Sequence, residues 1–200
     1  MARTVDPLLG ARRRRQILEG AMACFKMHGF HQASMHQICA SAGMSPGAVY
    51  RYFRSKDDII AAIVEAWTNS QMTALEEAPG AGALTGRLNR FVSRWLERFT
   101  EHGQSLAADI LAEAAHSPSI ARSLARADAH RLKLLATAIR AAQALGEVDT
   151  SINANDAAQV LFSAIDGMSL RLVTGLDTDA RAARRQFREL ARRYLLAPAC

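Results

Sequence analysis

Residues 33–60 read ASMHQICASAGMSPGAVYRYFRSKDDII, and the start and stop signals inside this stretch decide the fold. Ser34 and Gln37 form an S-x-x-Q capping box, which satisfies the first free amides of a helix. Gly43 ends that helix early. Ser45 caps the next one, and Pro46 falls in its first turn, where a missing amide hydrogen costs nothing. A further capping box, Ser55 with Asp58, precedes the apolar stripe Ile59, Ile60, Ile63, Val64 and Trp67 of a long helix. Upstream, Ile17, Ala21, Cys24, Phe25 and His28 recur on one side of a helix predicted over about residues 11–28, which Gly29 stops. Three helices, the last two short and joined by AGMS, have the form of a helix-turn-helix.

The third helix, read as Ser45 to Tyr52, explains the odd make-up of SPGAVYRYFRSK. Val49 and Phe53 lie four apart and face inward, leaving Gly47, Ala48, Tyr50, Arg51 and Tyr52 on the open sides. Small residues at its start let such a helix approach a DNA groove closely. Its phenol and guanidinium groups then donate to phosphates and base edges. Core packing is the other reading of the two tyrosines.

Charge divides sharply along the chain. Residues 1–56 hold nine basic side chains against Asp6 and Glu19, a net +7, whereas the whole chain is +6. All of the excess therefore lies in the first quarter, as expected of a polyanion-binding module joined to a near-neutral body. A solvated basic tail is the alternative, and the run Arg12–Arg15 fits either reading.

The same segment resembles the DNA-binding signature of TetR-type (TetR/AcrR) transcriptional repressors. Ser34, Ile38, Ala42, Gly43, Ser45, Gly47, Tyr50, Tyr52, Phe53 and Lys56 match its pattern in order. Cys39, Met44 and Val49 depart from it conservatively. Pro46 stands where many members carry a lysine that touches the DNA backbone, and Arg51 on the same helix can replace that contact. The resemblance implies phosphate contacts from Ser34 and Ser45 through hydroxyls and helix-start amides. It also implies backbone anchoring by Tyr50, Tyr52 and Lys56, with Pro46, Gly47, Ala48 and Arg51 at the groove. It further implies a homodimer on double-stranded operator DNA and a small-molecule effector. The setting it implies is the bacterial cytoplasm, at the nucleoid when the protein is bound to DNA.

From residue 57 onward only helical patterns occur, broken at PGAGALTG (79–86), Gly103, Ser117-Pro118 and GEVDTSINAND (146–156). The expected fold is all-α, with about nine helices. Its domains are a flexible tail at 1–10, a helix-turn-helix domain at 11–56 and an effector-binding and dimerisation domain at 57–200. Trp67, Phe91, Trp95, Phe99, Ile110, Leu134 and Phe162 lie on helices that, by the resemblance, line an effector cavity; as apolar residues at helical spacing they also read as plain core. The helix at 157–175 is apolar on more than one side, so it must bury two faces. Ile165, Met168 and Leu172 on it, with Phe187, Leu190 and Tyr194 on the last helix, are the expected dimer face.

Other functions are excluded by what the chain lacks. Glu113, His116, Asp128, His130 and Asp166 are scattered, with no H-E-x-x-H, Gly-rich phosphate loop or G-x-S-x-G around them, so no enzyme is expected. His28, His31 and His36 straddle a loop and a helix start without a cysteine at ligand spacing, so neither metal nor cofactor is expected. Cys24, Cys39 and Cys200 suit reduced thiols in a cytoplasmic protein, and no apolar run approaches the ~20 residues of a membrane span. The reading that competes with a sequence-specific regulator is a basic protein that coats nucleic acid without choosing sequence.

Overall fold

The computed structural model describes residues 7–76, 84–101, 104–176 and 179–196, with the side chains of 7, 70–76, 97–101, 104, 105 and 107 outside that description. Among the described residues there are nine helices and no strand: α1 Pro7–His28, α2 Met35–Ser41, α3 Pro46–Tyr50, α4 Lys56–Glu76, α5 Leu84–Glu101, α6 Gln104–Ala114, α7 Pro118–Ala144, α8 Ala154–Val173 and α9 Ala180–Leu195. No described helix is long and apolar enough to cross a membrane.

The apolar stripe predicts that α1 starts near residue 11, but the helix begins at Pro7. Proline suits a first helical turn, and the unbranched arginine side chains that follow lose little freedom in a helix. Residues 7–10 therefore leave the expected tail. Two further caps form ahead of α8 and α9. Asn153 accepts from the amides of Asn155 and Asp156 ahead of α8, and Asp179 accepts from Arg181 ahead of α9.

The chain divides into two compact units, residues 1–65 with 108–124 and residues 66–107 with 125–200. In the first, α1 packs on α2 and α2 on α3, and Ile17, Ala21, Cys24 and Phe25 of α1 are buried together with Ile38, Cys39, Val49, Phe53 and the Ile59, Ile60, Ile63 and Val64 stripe of α4. Gly20 lets α1 and α2 approach backbone to backbone, since a β-carbon there would lie 2.6 Å from both Cα and N of Ala42. Gln16 fastens the same contact by donating to the Ala42 carbonyl at 2.7 Å. Between α6 and α7, the Ser117 hydroxyl accepts from the Ile120 amide and donates to the Asp57 carboxylate at 2.6 Å. The buried thiols Cys24 and Cys39 are free, and burial pushes both above the ordinary thiol range.

In the second unit α5 packs on α8 and α9, which also pack on each other. Leu88, Phe91, Leu135, Ile139, Leu161, Phe162, Ile165 and Phe187 form its core. Gly146 closes α7 at a φ of +73°, a conformation that favours glycine.

Candidate nucleic-acid interface

The expected capping box at Ser34 is fully formed. The Gln37 amide donates to Ser34 Oγ at 3.3 Å, and Gln37 Oε1 accepts from the Ser34 amide at 2.8 Å. The Ser34 hydroxyl also lies 2.8 Å from that oxygen, so its proton is engaged within the cap. Gly43, at a φ of +62°, turns the chain, and the Met44 amide reaches back to the Cys39 carbonyl to close α2. Ser45 is exposed and caps α3 by accepting from the Ala48 amide at 3.4 Å.

Helix α3 is shorter than the expected Ser45–Tyr52 span. It ends at Tyr50, because the amides of Tyr52 and Phe53 both turn back to the Val49 carbonyl and swing the Phe53 ring into the core. Arg51 and Tyr52 thus project from the turn that follows the helix. Pro46, Gly47 and Arg51 are exposed, Ala48 and Tyr52 half-buried, and Tyr50 keeps 50% of its surface. Half of the Tyr50 surface is open, so this residue is not part of the core. Of the five residues expected on the open side, Gly47, Tyr50 and Arg51 are exposed, and Ala48 and Tyr52 are half-buried.

Lys56 requires a correction. Its ammonium donates to the carbonyls of Phe30 at 2.8 Å, Ala33 at 3.1 Å and His31 at 3.4 Å, and sits 4.2 Å from the centroid of the Phe30 ring. An ammonium has three donors, and all three are taken. The side chain therefore ties the α1–α2 loop to the start of α4 instead of reaching for phosphate. Sequence reasoning missed this because it carries no signal for carbonyls more than twenty residues away.

The comparisons with known proteins agree with this geometry. The family "Bacterial regulatory proteins, tetR family" matches residues 17–63, and "BetI-type transcriptional repressor, C-terminal" matches residues 84–197. The HTH-type transcriptional regulator UidR of Escherichia coli K12 is 31% identical over 159 residues, covering 78% of this chain and 79% of its own length. The chain belongs to the TetR family of bacterial regulatory proteins. The solved structure of Salmonella enterica GusR superposes with a TM-score of 0.78 at 26% identity, over 96% of this chain and 98% of that one. A transcriptional regulator from Saccharomonospora viridis, solved in complex with choline, shares the fold at 23% identity and a TM-score of 0.75, over 94% and 100% of the two chains. As a TetR-family transcriptional regulator the protein is not an enzyme.

The body of this TetR-family chain gathers only some of the residues expected at an effector cavity. Phe91 and Phe162 are fully buried with their rings edge-on at 5.7 Å, and Trp95 stands 5.7 Å from Phe91 while its indole donates to Ser169 Oγ at 2.9 Å. Leu134 packs half-buried on the same core. Trp67 is half-buried in this unit, Ile110 is buried in the other unit, and the Phe99 side chain lies outside the described residues. Arg131 was not anticipated: its guanidinium lies 5.2 Å from the Trp95 centroid and 4.8 Å from that of Phe162, and it pairs with Asp128 at 2.6 Å and Asp166 at 3.3 Å. The i,i+3 spacing of Asp128 and Arg131 was the available signal. Among the described residues no group of His, Cys, Asp and Glu could hold a metal.

The expected dimer face also needs correction. Ile165, Leu172 and Phe187 are buried within the chain's own core, so they join α8 and α9 to α5 and are closed to a partner. Met168, Leu190 and Tyr194 stay partly exposed. The outward apolar residues of α8 are instead Val160 and Leu170, 43% and 52% exposed. Periodicity marked α8 as two-faced but did not say which face a second element of the same chain takes.

Proposed function

We propose that this regulator is a homodimeric repressor that sets the two α3 helices, each with its following turn, into successive major grooves of a near-palindromic operator. The observation that carries this reading is the exposed Ser45–Tyr52 surface, held on a packed three-helix support with Tyr50 and Arg51 free to reach DNA. A two-fold protein implies a two-fold site. Val160 and Leu170 of α8, with partly exposed Leu190 and Tyr194 of α9, support pairing through these two helices. Contacts to phosphate come from Ser45 and its helix-start amides and from Tyr50 and Tyr52, while Gly47, Ala48 and Arg51 face base edges.

A small hydrophobic or amphipathic effector, bound in the second unit near Phe91, Trp95 and Phe162, releases the operator. Choline bound to the Saccharomonospora viridis regulator supports the capacity of this fold to hold a small molecule. Release follows from linkage: an effector that prefers a dimer geometry unsuited to the groove spacing lowers DNA affinity by its differential affinity for the two states.

Selection of bound duplexes from a random DNA library, near physiological salt and with excess competitor, tests the reading. Enrichment of an inverted repeat supports a dimeric sequence reader and supplies the operator for effector screening. Salt-sensitive binding without enrichment overturns it in favour of a non-specific nucleic-acid coat.

A further inference from the structure

The arginine run Arg12–Arg15 lies wholly within α1, ahead of Ile17, the first core residue of that helix. At 100° per residue its four side chains point around the whole circumference. Two of them are tied to the reading head. Arg13 donates to Gln16 Oε1 at 2.9 Å, and Gln16 in turn donates to the Ala42 carbonyl beside the Gly43 turn. Arg14 lies 4.6 Å from the centroid of Phe53, the residue after Arg51 and Tyr52. Arg12 and Arg15 point away from the Ile17 stripe and have no such tie.

All four arginines are exposed, and no ion pair to any of them forms among the described residues. A guanidinium has five donors in a rigid fork. Among the described residues Arg13 uses one on Gln16 and Arg14 uses none, its guanidinium carbon lying over an aromatic ring. The unspent donors lie beside the Ala42–Gly43 turn and the Phe53 ring that hold α3 and its open surface in place, inside the part of the chain that holds all its excess charge. A phosphate chain running past that surface is the polyanion of matching geometry.

We infer that Arg13 and Arg14 form a preset clamp for DNA phosphates flanking the base-reading contacts, so that the footprint extends onto the N-terminal part of α1. The inference rests on the DNA-binding reading of α3. The clamp carries affinity and register and no base preference, because phosphates are the same at every sequence. The ties through Gln16 and Phe53 hold both forks in place before DNA arrives, so less side-chain freedom is lost on binding.

The test is the salt dependence of affinity, measured by fluorescence anisotropy for the full-length protein on a selected operator and on a scrambled duplex. Each lost phosphate contact lowers the log–log slope by about 0.9, so Arg13→Gln/Arg14→Gln is expected to lower it by about 1.8 per protomer, or about 3.6 for a dimer. Between 0.05 and 0.2 M salt the wild type then loses roughly 150-fold more affinity than the variant. The ratio of operator to scrambled affinity is expected to stay unchanged. Arg12→Gln/Arg15→Gln is expected to lower the slope by less than half as much. Arg13→Lys/Arg14→Lys keeps both charges and is expected to keep the slope. Ethylation of phosphates just outside the selected base steps should block the wild type and leave the glutamine variant indifferent.

An unchanged slope for Arg13→Gln/Arg14→Gln, or equal losses from the two glutamine pairs, overturns the clamp. So does a slope lost in the folded lysine pair, which would make the arginines supports and not contacts. A wild type that does not distinguish operator from scrambled duplex sinks the base-reading function instead. The slope comparison on either duplex would still decide the clamp.

Discussion

Substituting Lys56 separates two roles that its position in the chain leaves open. In Lys56→Met the methylene stem is largely kept, while three donors and a charge are removed. The carbonyls of Phe30 and Ala33 are part-buried and lose their partner, and that of His31 is exposed and loses little. Hydrogen bonds to a charged group contribute about 1.5–3 kcal/mol each, so the two part-buried ones set a gross loss of about 3–6 kcal/mol. Relief from desolvating the ammonium offsets part of it, leaving about 2–3 kcal/mol. With a urea slope of about 2 kcal/mol/M, the unfolding midpoint should fall by about 1–1.5 M. Measured where the variant is still folded, its salt slope on DNA should match the wild type. A midpoint that stays put while the slope falls by about 0.9 per protomer would refute the structural role and return Lys56 to the phosphate contacts.

Tyr50→Ala is expected to weaken binding to every duplex by about tenfold, whereas Arg51→Ala should change which bases are preferred; repeating the library selection with each variant checks both. Gly20→Ala gains about 1 kcal/mol of helix propensity but forces α1 and α2 about 1 Å apart, for a net loss of about 1–2 kcal/mol by urea unfolding; an unchanged or raised stability would mean that the two backbones do not meet as closely as Gly20 and Ala42 do here. The Glu189 carboxyl is held down to about 2 by hydrogen bonds, first from Arg192 and then from Arg193. A depressed carboxyl stabilises the fold fully above its ordinary value of 4.5, and that contribution disappears as pH falls from there toward about 2. The melting temperatures of wild type and Glu189→Gln should therefore differ near neutral pH and converge in acid; a gap that does not change with pH would show that the charge of Glu189 contributes nothing.

Local chemistry made most of the fold legible. Ser34 with Gln37, Ser45 with Pro46, and Gly43 each satisfy or redirect backbone groups within a few residues, so they can be read without knowing what lies across the fold. The residues misread are those whose partners are distant. Lys56 finds carbonyls of the α1–α2 loop, and Ile165, Leu172 and Phe187 find α5 and each other. Arg131 brings Asp128 on its own helix together with Asp166 on α8. Periodicity tells that a face is apolar, and only packing tells which neighbour covers it. The end of α3 failed for a related reason, since Phe53 must reach the core and pulls Arg51 and Tyr52 out of the helix.

That early end bears on how the reading surface works. A five-residue helix cannot persist by itself, because isolated helices shorter than about 12 residues are marginal in water. The direction of α3 is therefore imposed from outside: by the Ser45 cap at its start, by buried Val49 and Phe53, and by the Gly43 turn behind it. Lys56 fixes the loop on the far side of the same small core. Of these residues only Ser45 belongs to the proposed DNA contacts, yet each decides where Tyr50 and Arg51 point. A support built this way loses little freedom when DNA binds, which favours affinity, and it holds the donors to one geometry, which favours discrimination between bases. Variants of the support and of the contacts should then separate cleanly: loosening Val49 or Phe53 lowers stability and blurs base preference together, whereas removing Tyr50 lowers affinity at constant stability.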